Sequence, residues 1–197
     1  MTLPLLVGQR QPRHVLQIGL GAASLTRFLY RHCPTTHLTI VEIDDGVIMA
    51  ARQFFKMPSD PQRITVIHED GVSFMQRSHA HYDLILVDGF DSKAHAGLLE
   101  SQVFYDDCRR RLDDHGWIAI NLLGKSRGFQ ATVARFRHAF QDQTQILRLY
   151  PDGNVVALAT VPALPSPNMI QWRAEAVHFK QDTGLNLAAT LSRFEAS

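Results

Sequence analysis

Apolar positions along this chain fall into short continuous runs separated by stretches with helical spacing. Val15, Leu16 and Ile18 form the first run, Gly19-Leu-Gly21 turns the backbone, and Ala22 to Tyr30 then reads as a helix. Leu38–Ile43 is β-branched and apolar, so a buried strand, and Asp44-Asp45 open a helix with Val47, Ile48, Ala51, Phe54 and Phe55 on one buried face. Acids in that first turn suit the positive end of the helix dipole. Ile64–Ile67 is a third strand, Gly71–Arg77 a short helix, and Tyr82–Asp88 a fourth strand. The last is almost continuously apolar, which predicts cover on both faces. A loop, Gly89–Gly97, precedes a helix from about Leu98 to Leu112, and His115-Gly116 turns into a fifth strand, Trp117–Leu122. A helix from about Gly128 to Phe140 follows. Thr144–Tyr150 and Val155–Val161 flank Pro151-Asp-Gly-Asn154, a hairpin signal. Pro162–Pro167 is a linker, and a helix near Ile170–Gln181 ends the pattern.

Strand and helix alternate through five units, which predicts a parallel sheet with helices on both faces. The expected fold is α/β, three-layered and Rossmann-like, with a mostly parallel seven-stranded sheet ending in an antiparallel hairpin. That layout is similar to the S-adenosylmethionine-dependent methyltransferase-type domain, here a single domain over 1–197. Composition narrows the function. With 197 residues, 45% hydrophobic and 20% charged, the chain suffices for one buried core. Net charge is +1 and the basic residues are scattered, which argues against a nucleic-acid backbone as partner. Cys33 and Cys108 lie too far apart for a CxxC motif and are too few for a disulfide framework, so a reducing, cytoplasmic setting is expected. Met1–Val7 is short and broken by Pro4, and no run approaches membrane-spanning length.

The candidate chemistry lies at strand ends. Gly19 and Gly21 let backbone approach a nucleotide at a helix start, although Ser24 stands where a dehydrogenase fingerprint would have glycine or alanine. Glu42 ends the second strand, where an acid accepts both hydroxyls of a ribose. Asp70 follows the third strand and is placed to bind an adenine amino group, with the Gly71 N–H close to the ring; Asp-Gly also reads as a plain turn. Asp88 ends the buried fourth strand, and Asp91 can face the same cavity. Two carboxylates beside a cationic amine hold it and accept its proton.

Val15-Leu-Gln-Ile-Gly-Leu-Gly21, Val41-Glu-Ile-Asp44, Glu69-Asp-Gly71 and Tyr82-Asp-Leu-Ile-Leu-Val-Asp88 with Asp91 together resemble the spermidine synthase (polyamine aminopropyltransferase) family. Phe104-Tyr105 and His115-Gly116-Trp117 extend the resemblance, which runs from about residue 14 to 123. It implies transfer of an aminopropyl group from decarboxylated S-adenosylmethionine to a polyamine, without metal. In that scheme Glu42 binds ribose, Asp70 binds adenine, Asp88 deprotonates the attacking amine and Asp91 holds the polyamine chain. The chain departs from the family in three places. Ala22 replaces an acid of the glycine loop that would attract the aminopropyl ammonium and repel the carboxylate of intact S-adenosylmethionine. Asp88-Gly-Phe-Asp-Ser92 replaces the family's Asp-Ser-Ser-Asp-Pro, so Phe90 narrows an amine channel or stacks on a ring. Only about thirteen residues precede the first strand, so the family's N-terminal β-domain is not expected. Two alternatives stay open: a small-molecule methyltransferase using intact S-adenosylmethionine, and a non-catalytic nucleoside binder. A homodimer through the hairpin edge is plausible. His79-Ala-His81 lacks a third metal ligand, His95 lies in the loop after Asp91, Tyr105 reads as packing, and Arg109–Arg111 reads as a solvated helix face.

Overall fold

The continuous apolar runs become strands, and those at the centre of the sheet are covered on both sides. In a computed structural model that describes residues 1–7, 11–90, 96–148, 153–161 and 169–194, the strands are β1 (His14–Ile18), β2 (His37–Glu42), β3 (Ile64–His68), β4 (Tyr82–Val87), β5 (Leu112–Leu123), β6 (Thr144–Arg148) and β7 (Asn154–Thr160). They form one sheet in the order β3-β2-β1-β4-β5-β7-β6. The pairs from β3 to β5 are parallel, and β7 runs antiparallel to both β5 and β6. The helices are α1 (Pro4–Val7), α2 (Ser24–His32), α3 (Asp45–Gln53), α4 (Gly71–Arg77), α5 (Gln102–Arg110), α6 (Phe129–Ala139), α7 (Met169–Thr183) and α8 (Ala188–Phe194).

Alternation along each strand divides the core in two. Val15, Leu84, Leu86 and Ala119 point to the face that packs Leu3, Leu6 of α1, Leu29 of α2, Ile48 of α3, Trp172 of α7 and Leu191 of α8. Leu16, Ile85, Ile118 and Ile120 point to the other face, against Phe74 of α4, Phe104 and Tyr105 of α5 and Phe136 of α6. This is the three-layer α/β arrangement that alternation predicts, with seven strands and a terminal antiparallel hairpin.

Several boundaries differ from the sequence expectation, each for a local reason. The helix read over Leu98–Leu112 is two pieces: a 3₁₀ turn at Gly97–Glu100, then α5, whose N-cap Ser101 accepts from Phe104 N at 3.2 Å. β5 starts at Leu112 rather than Trp117; His115 and Gly116 lie within it, and the register against β4 shifts between Tyr82 and Leu84. His115 takes φ of 68° and its N–H reaches Val161 O at 2.7 Å, so the strand carries an irregularity where a turn was expected. α3 ends at Gln53, which takes Phe54 and Phe55 off the buried face and leaves them 73% and 42% exposed. α1 and α8 carry no sequence signal strong enough to predict them. The hairpin's Pro151-Asp152 and the Pro162–Pro167 linker lie outside the described residues.

Candidate active site

β1 lies between β2 and β4, and the chain leaves it in opposite directions for the two halves of the sheet. The carboxyl ends of β1 and β4 therefore open a crevice, the place where ligands bind in open α/β sheets. Gly19 is required there: at φ of 88°, a Cβ would lie 2.2 Å from Asp88 O. Its N–H donates to Val41 O at 2.9 Å, and Asp88 N donates to Ile18 O at 2.9 Å, so the β1 tip is tied to both neighbours. Gly21, at φ of 49°, has nothing within 4 Å of a built Cβ and faces open space. Gln17 braces the turn from within the core. Its Nε2 donates to Gly19 O at 2.8 Å, and its Oε1 accepts from Thr26 Oγ1 of α2 at 2.9 Å.

Glu42, at the end of β2, is 9% exposed. Oε2 accepts from Leu20 N at 2.7 Å and Oε1 from Asp44 N at 3.0 Å. One carboxylate thus fastens the glycine turn to the start of α3. Asp44 in turn caps α3, its Oδ1 accepting from Gly46 N at 2.8 Å. Asp70 caps α4: Oδ2 accepts from Ser73 N at 2.8 Å and from Ser73 Oγ at 2.9 Å. Gly71 begins that helix hard against β1, where a Cβ would meet Ile18 Cγ2 at 2.6 Å. The neighbouring Glu69 is engaged elsewhere. Arg77 Nε donates to its Oε1 at 2.7 Å and Arg77 Nη2 to its Oε2. That guanidinium holds the Glu69 carboxyl below the usual carboxylate range.

Asp88 follows β4 and is exposed at the edge. Its Oδ1 accepts from Asn121 Nδ2 of β5 at 2.7 Å. Two cavities meet at this residue. The larger, about 680 Å³, is lined by Glu42, Asp70, Gly71 and Asp88, with Ile43, Val72, Leu98 and Leu99 among its apolar walls. The smaller, about 330 Å³, is lined by Gln17, Leu20, Ala22, Ser24 and Leu25; the two share Gly19, Gly21, Asp88 and Phe90. A further hollow near Pro4, Asp83 and Trp117 encloses only about 50 Å³, too little for a nucleoside. The structure therefore brings Gly19, Gly21, Glu42, Asp70, Gly71 and Asp88 to one place. Asp91 and His95 lie outside the described residues.

Sequence reading missed Asn121, Gln17 and the apolar walls. A signal existed for the first two: each is the lone amide in an otherwise apolar strand run. Other candidates resolve away from the crevice. Tyr105 is fully buried, edge-on to Phe136 with ring centroids 5.3 Å apart, and burial pushes its phenol well up. The Arg109–Arg111 run is not simply a solvated face: Arg109 Nη1 donates to Ala139 O at 3.1 Å, Arg110 pairs with Asp107, and Arg111 Nε is buried. His79 Nδ1 lies 3.4 Å from Arg111 Nη2. Among the described residues no group of three His, Cys, Asp or Glu is placed to hold a metal ion, and no helix is long and apolar enough to cross a membrane.

Comparison with known proteins places the chain in a family and a fold. The polyamine aminopropyltransferase of Chromobacterium violaceum is 32% identical over 163 residues, covering 83% of this chain and 61% of that protein. That of Neisseria meningitidis serogroup A is 29% identical over 186 residues, 94% of this chain and 71% of the relative. The chain thus spans about three fifths to seven tenths of these relatives' lengths. Among solved structures, human methyltransferase-like protein 13 in complex with SAH superposes with a TM-score of 0.78 at 21% identity, over 92% of this chain and 86% of that one. A spermidine synthase in complex with the transition state analogue AdoDATO gives 0.69 at 21% identity, over 91% and 72%. Both establish the fold. The model of the spermine/spermidine synthase domain matches residues 1–175, and the chain belongs to that family.

Proposed function

We propose that the crevice binds decarboxylated S-adenosylmethionine and that the protein transfers its aminopropyl group to an amine of a small polyamine. The observation that supports this most is the meeting of Glu42, Asp70 and Asp88, from three strand ends, around one cavity in a chain of this family. Each Glu42 oxygen accepts one backbone N–H and keeps a second lone pair for a ribose hydroxyl. Both intramolecular bonds of Asp70 fall on Oδ2, so Oδ1 is available to the adenine amino group. Ile43, Val72, Leu98 and Leu99 supply apolar surface for the base.

Asp88 is the general base. An ammonium has no lone pair, so the acceptor must first give a proton to the carboxylate, which passes it to solvent. The freed nitrogen attacks the methylene next to sulfur. The new C–N bond forms as the C–S bond breaks, its electron pair stays on sulfur, and the sulfonium becomes a neutral thioether. The product nitrogen carries the positive charge that sulfur loses. Little charge is created, so catalysis rests on alignment. Asp91 is assigned the second cation of the acceptor.

One observation favours a second reading. Ala22 lines the smaller cavity where a carboxylate would select the decarboxylated donor, so intact S-adenosylmethionine and methyl transfer are compatible with the site. Calorimetric titration with both donors, followed by mass analysis of products formed with putrescine, separates the two. Tighter binding of the decarboxylated donor and an aminopropylated product are expected. Preference for the intact donor with a methylated product would transfer the case to the second reading, and binding of neither would end both.

A further inference from the structure

We propose that Thr132 and Arg135 of α6 are positioning residues of the nucleoside site, acting through Glu100 to hold Leu99 as a wedge between the two acid-bearing turns. The inference rests on the nucleoside half of the reading above and adds two residues that line neither cavity of the crevice. The 3₁₀ turn Gly97–Glu100 carries Leu98 and Leu99, two apolar walls of the larger cavity. A turn this short has little stability of its own. Its local bonds, Leu99 N to Ala96 O at 3.1 Å and Ser101 N to Leu98 O at 3.0 Å, shape the turn but do not fix its place against the sheet.

Glu100 supplies that tie, and α6 holds it twice. Arg135 Nε donates to the Glu100 backbone oxygen at 2.8 Å, and Thr132 Oγ1 donates to Glu100 Oε2 at 2.7 Å. Arg135 Nη2 in turn donates to Thr132 Oγ1 at 3.1 Å. A guanidinium only donates and a carboxylate only accepts, so the hydroxyl proton has one direction, toward Glu100. Thr132 is 1% exposed, so water is not at hand to replace its bond. With main chain and side chain both fixed, Glu100 sets the residue before it. That residue reaches both sides of the crevice. A Cβ on Gly71 would lie 3.3 Å from Leu99 Cδ2, and one on Gly89 would lie 2.8 Å from Leu99 Cδ1. Gly71 follows Asp70 and Gly89 follows Asp88, so one side chain fills the space that both turns leave. A gap of roughly 0.5–1 Å forfeits a quarter to a half of such a contact. Releasing Glu100 from α6 therefore loosens the wall on which the base of the nucleoside rests.

The test is calorimetric titration with 5′-methylthioadenosine, run beside thermal melts. The variants are Thr132→Val, Thr132→Ser, Arg135→Met, Leu99→Ala and the double variant Leu99→Ala with Thr132→Val. Thr132→Val and Arg135→Met, titrated where the melts show them folded, should each weaken the nucleoside by roughly two- to thirty-fold, the range for coupling through a packed network. Thr132→Val removes only the hydroxyl, so it carries the test if Arg135→Met does not fold. Thr132→Ser keeps the hydroxyl and should bind as wild type does. In the Leu99→Ala background, Thr132→Val should add almost nothing, because the wedge through which it acts is gone. A lowered melting temperature with wild-type nucleoside affinity in Thr132→Val would overturn the proposal and mark a brace of the fold. Additive losses in the double variant would overturn it as well. If wild type itself does not bind 5′-methylthioadenosine, the nucleoside reading falls and this inference with it.

Discussion

The two sides of the crevice are built on different terms. On the β2–β3 side the acids are also parts of the frame: Glu42 fastens Leu20 and Asp44, and Asp70 caps α4. On the β4–β5 side, Asp88 is exposed and its carboxylate is met by one side-chain amide. Where binding groups double as structural bonds, a substitution costs folding and affinity together. Where they do not, function can be removed from an intact fold.

Asp88→Asn is the largest break of this contrast. Turnover should fall by roughly 10²–10⁴-fold, the range for loss of a general base. Melting temperature should barely move, and nucleoside affinity should remain within a few-fold by calorimetry. A parallel loss of nucleoside binding would show that Asp88 belongs to the frame after all. Glu42→Ala comes next and should behave in the opposite manner. Two backbone amides lose their acceptor, so denaturant titration should register a loss of about 1–3 kcal/mol. Nucleoside affinity should fall in the same variant. Unchanged stability with lost affinity would erase the difference between the two sides.

The same difference explains what could be read from the chain. The succession of strands and helices in the first five units follows from apolar runs between glycines and acids, because burial on both faces leaves little choice of residue. Glu42, Asp70 and Asp88 were legible because a charged group at the end of a buried strand has only the carboxyl edge to occupy. Asn121 was not singled out, since one amide among Trp117, Ile118, Ala119 and Ile120 acquires meaning only when β4 is laid beside β5. His115 and Gly116 were misread because their backbone irregularity has the composition of a turn, while the long-range bond from His115 N to Val161 O holds them in a strand. Phe54 and Phe55 fit the helical spacing of α3, but the spacing does not say that the helix stops at Gln53.

Asp70 allows the two roles of a frame acid to be pulled apart. Asp70→Ser retains a capping oxygen for α4 and loses the carboxylate, so stability should hold within about 0.5 kcal/mol while nucleoside affinity falls. Asp70→Ala removes both and should cost about 1 kcal/mol in addition. Loss of stability without loss of affinity in the alanine variant would leave Asp70 a cap and nothing more.

Glu69 gives the smallest effect and the sharpest control, because it lines the same cavity as Asp70 yet its charge is already matched by Arg77. Its carboxyl is held below the ordinary value of 4.5, first by the Arg77 hydrogen bond and then by its charge, against opposition from burial and Asp70. A group whose folded-state value is depressed stabilises fully above its unfolded value and loses that contribution as pH falls through the folded one. Glu69→Gln should therefore lower the melting temperature slightly at neutral pH, and the gap from wild type should close as pH drops below 4.5. High salt should narrow the gap at neutral pH as well, as it does for exposed ion pairs. Nucleoside affinity should not change, since Asp70 is assigned the adenine amino group and Arg77 already neutralises this carboxylate. A clear loss of affinity in Glu69→Gln would mean that the ligand displaces Arg77, and the adenine end of the crevice would then have to be assigned to Glu69 instead of Asp70.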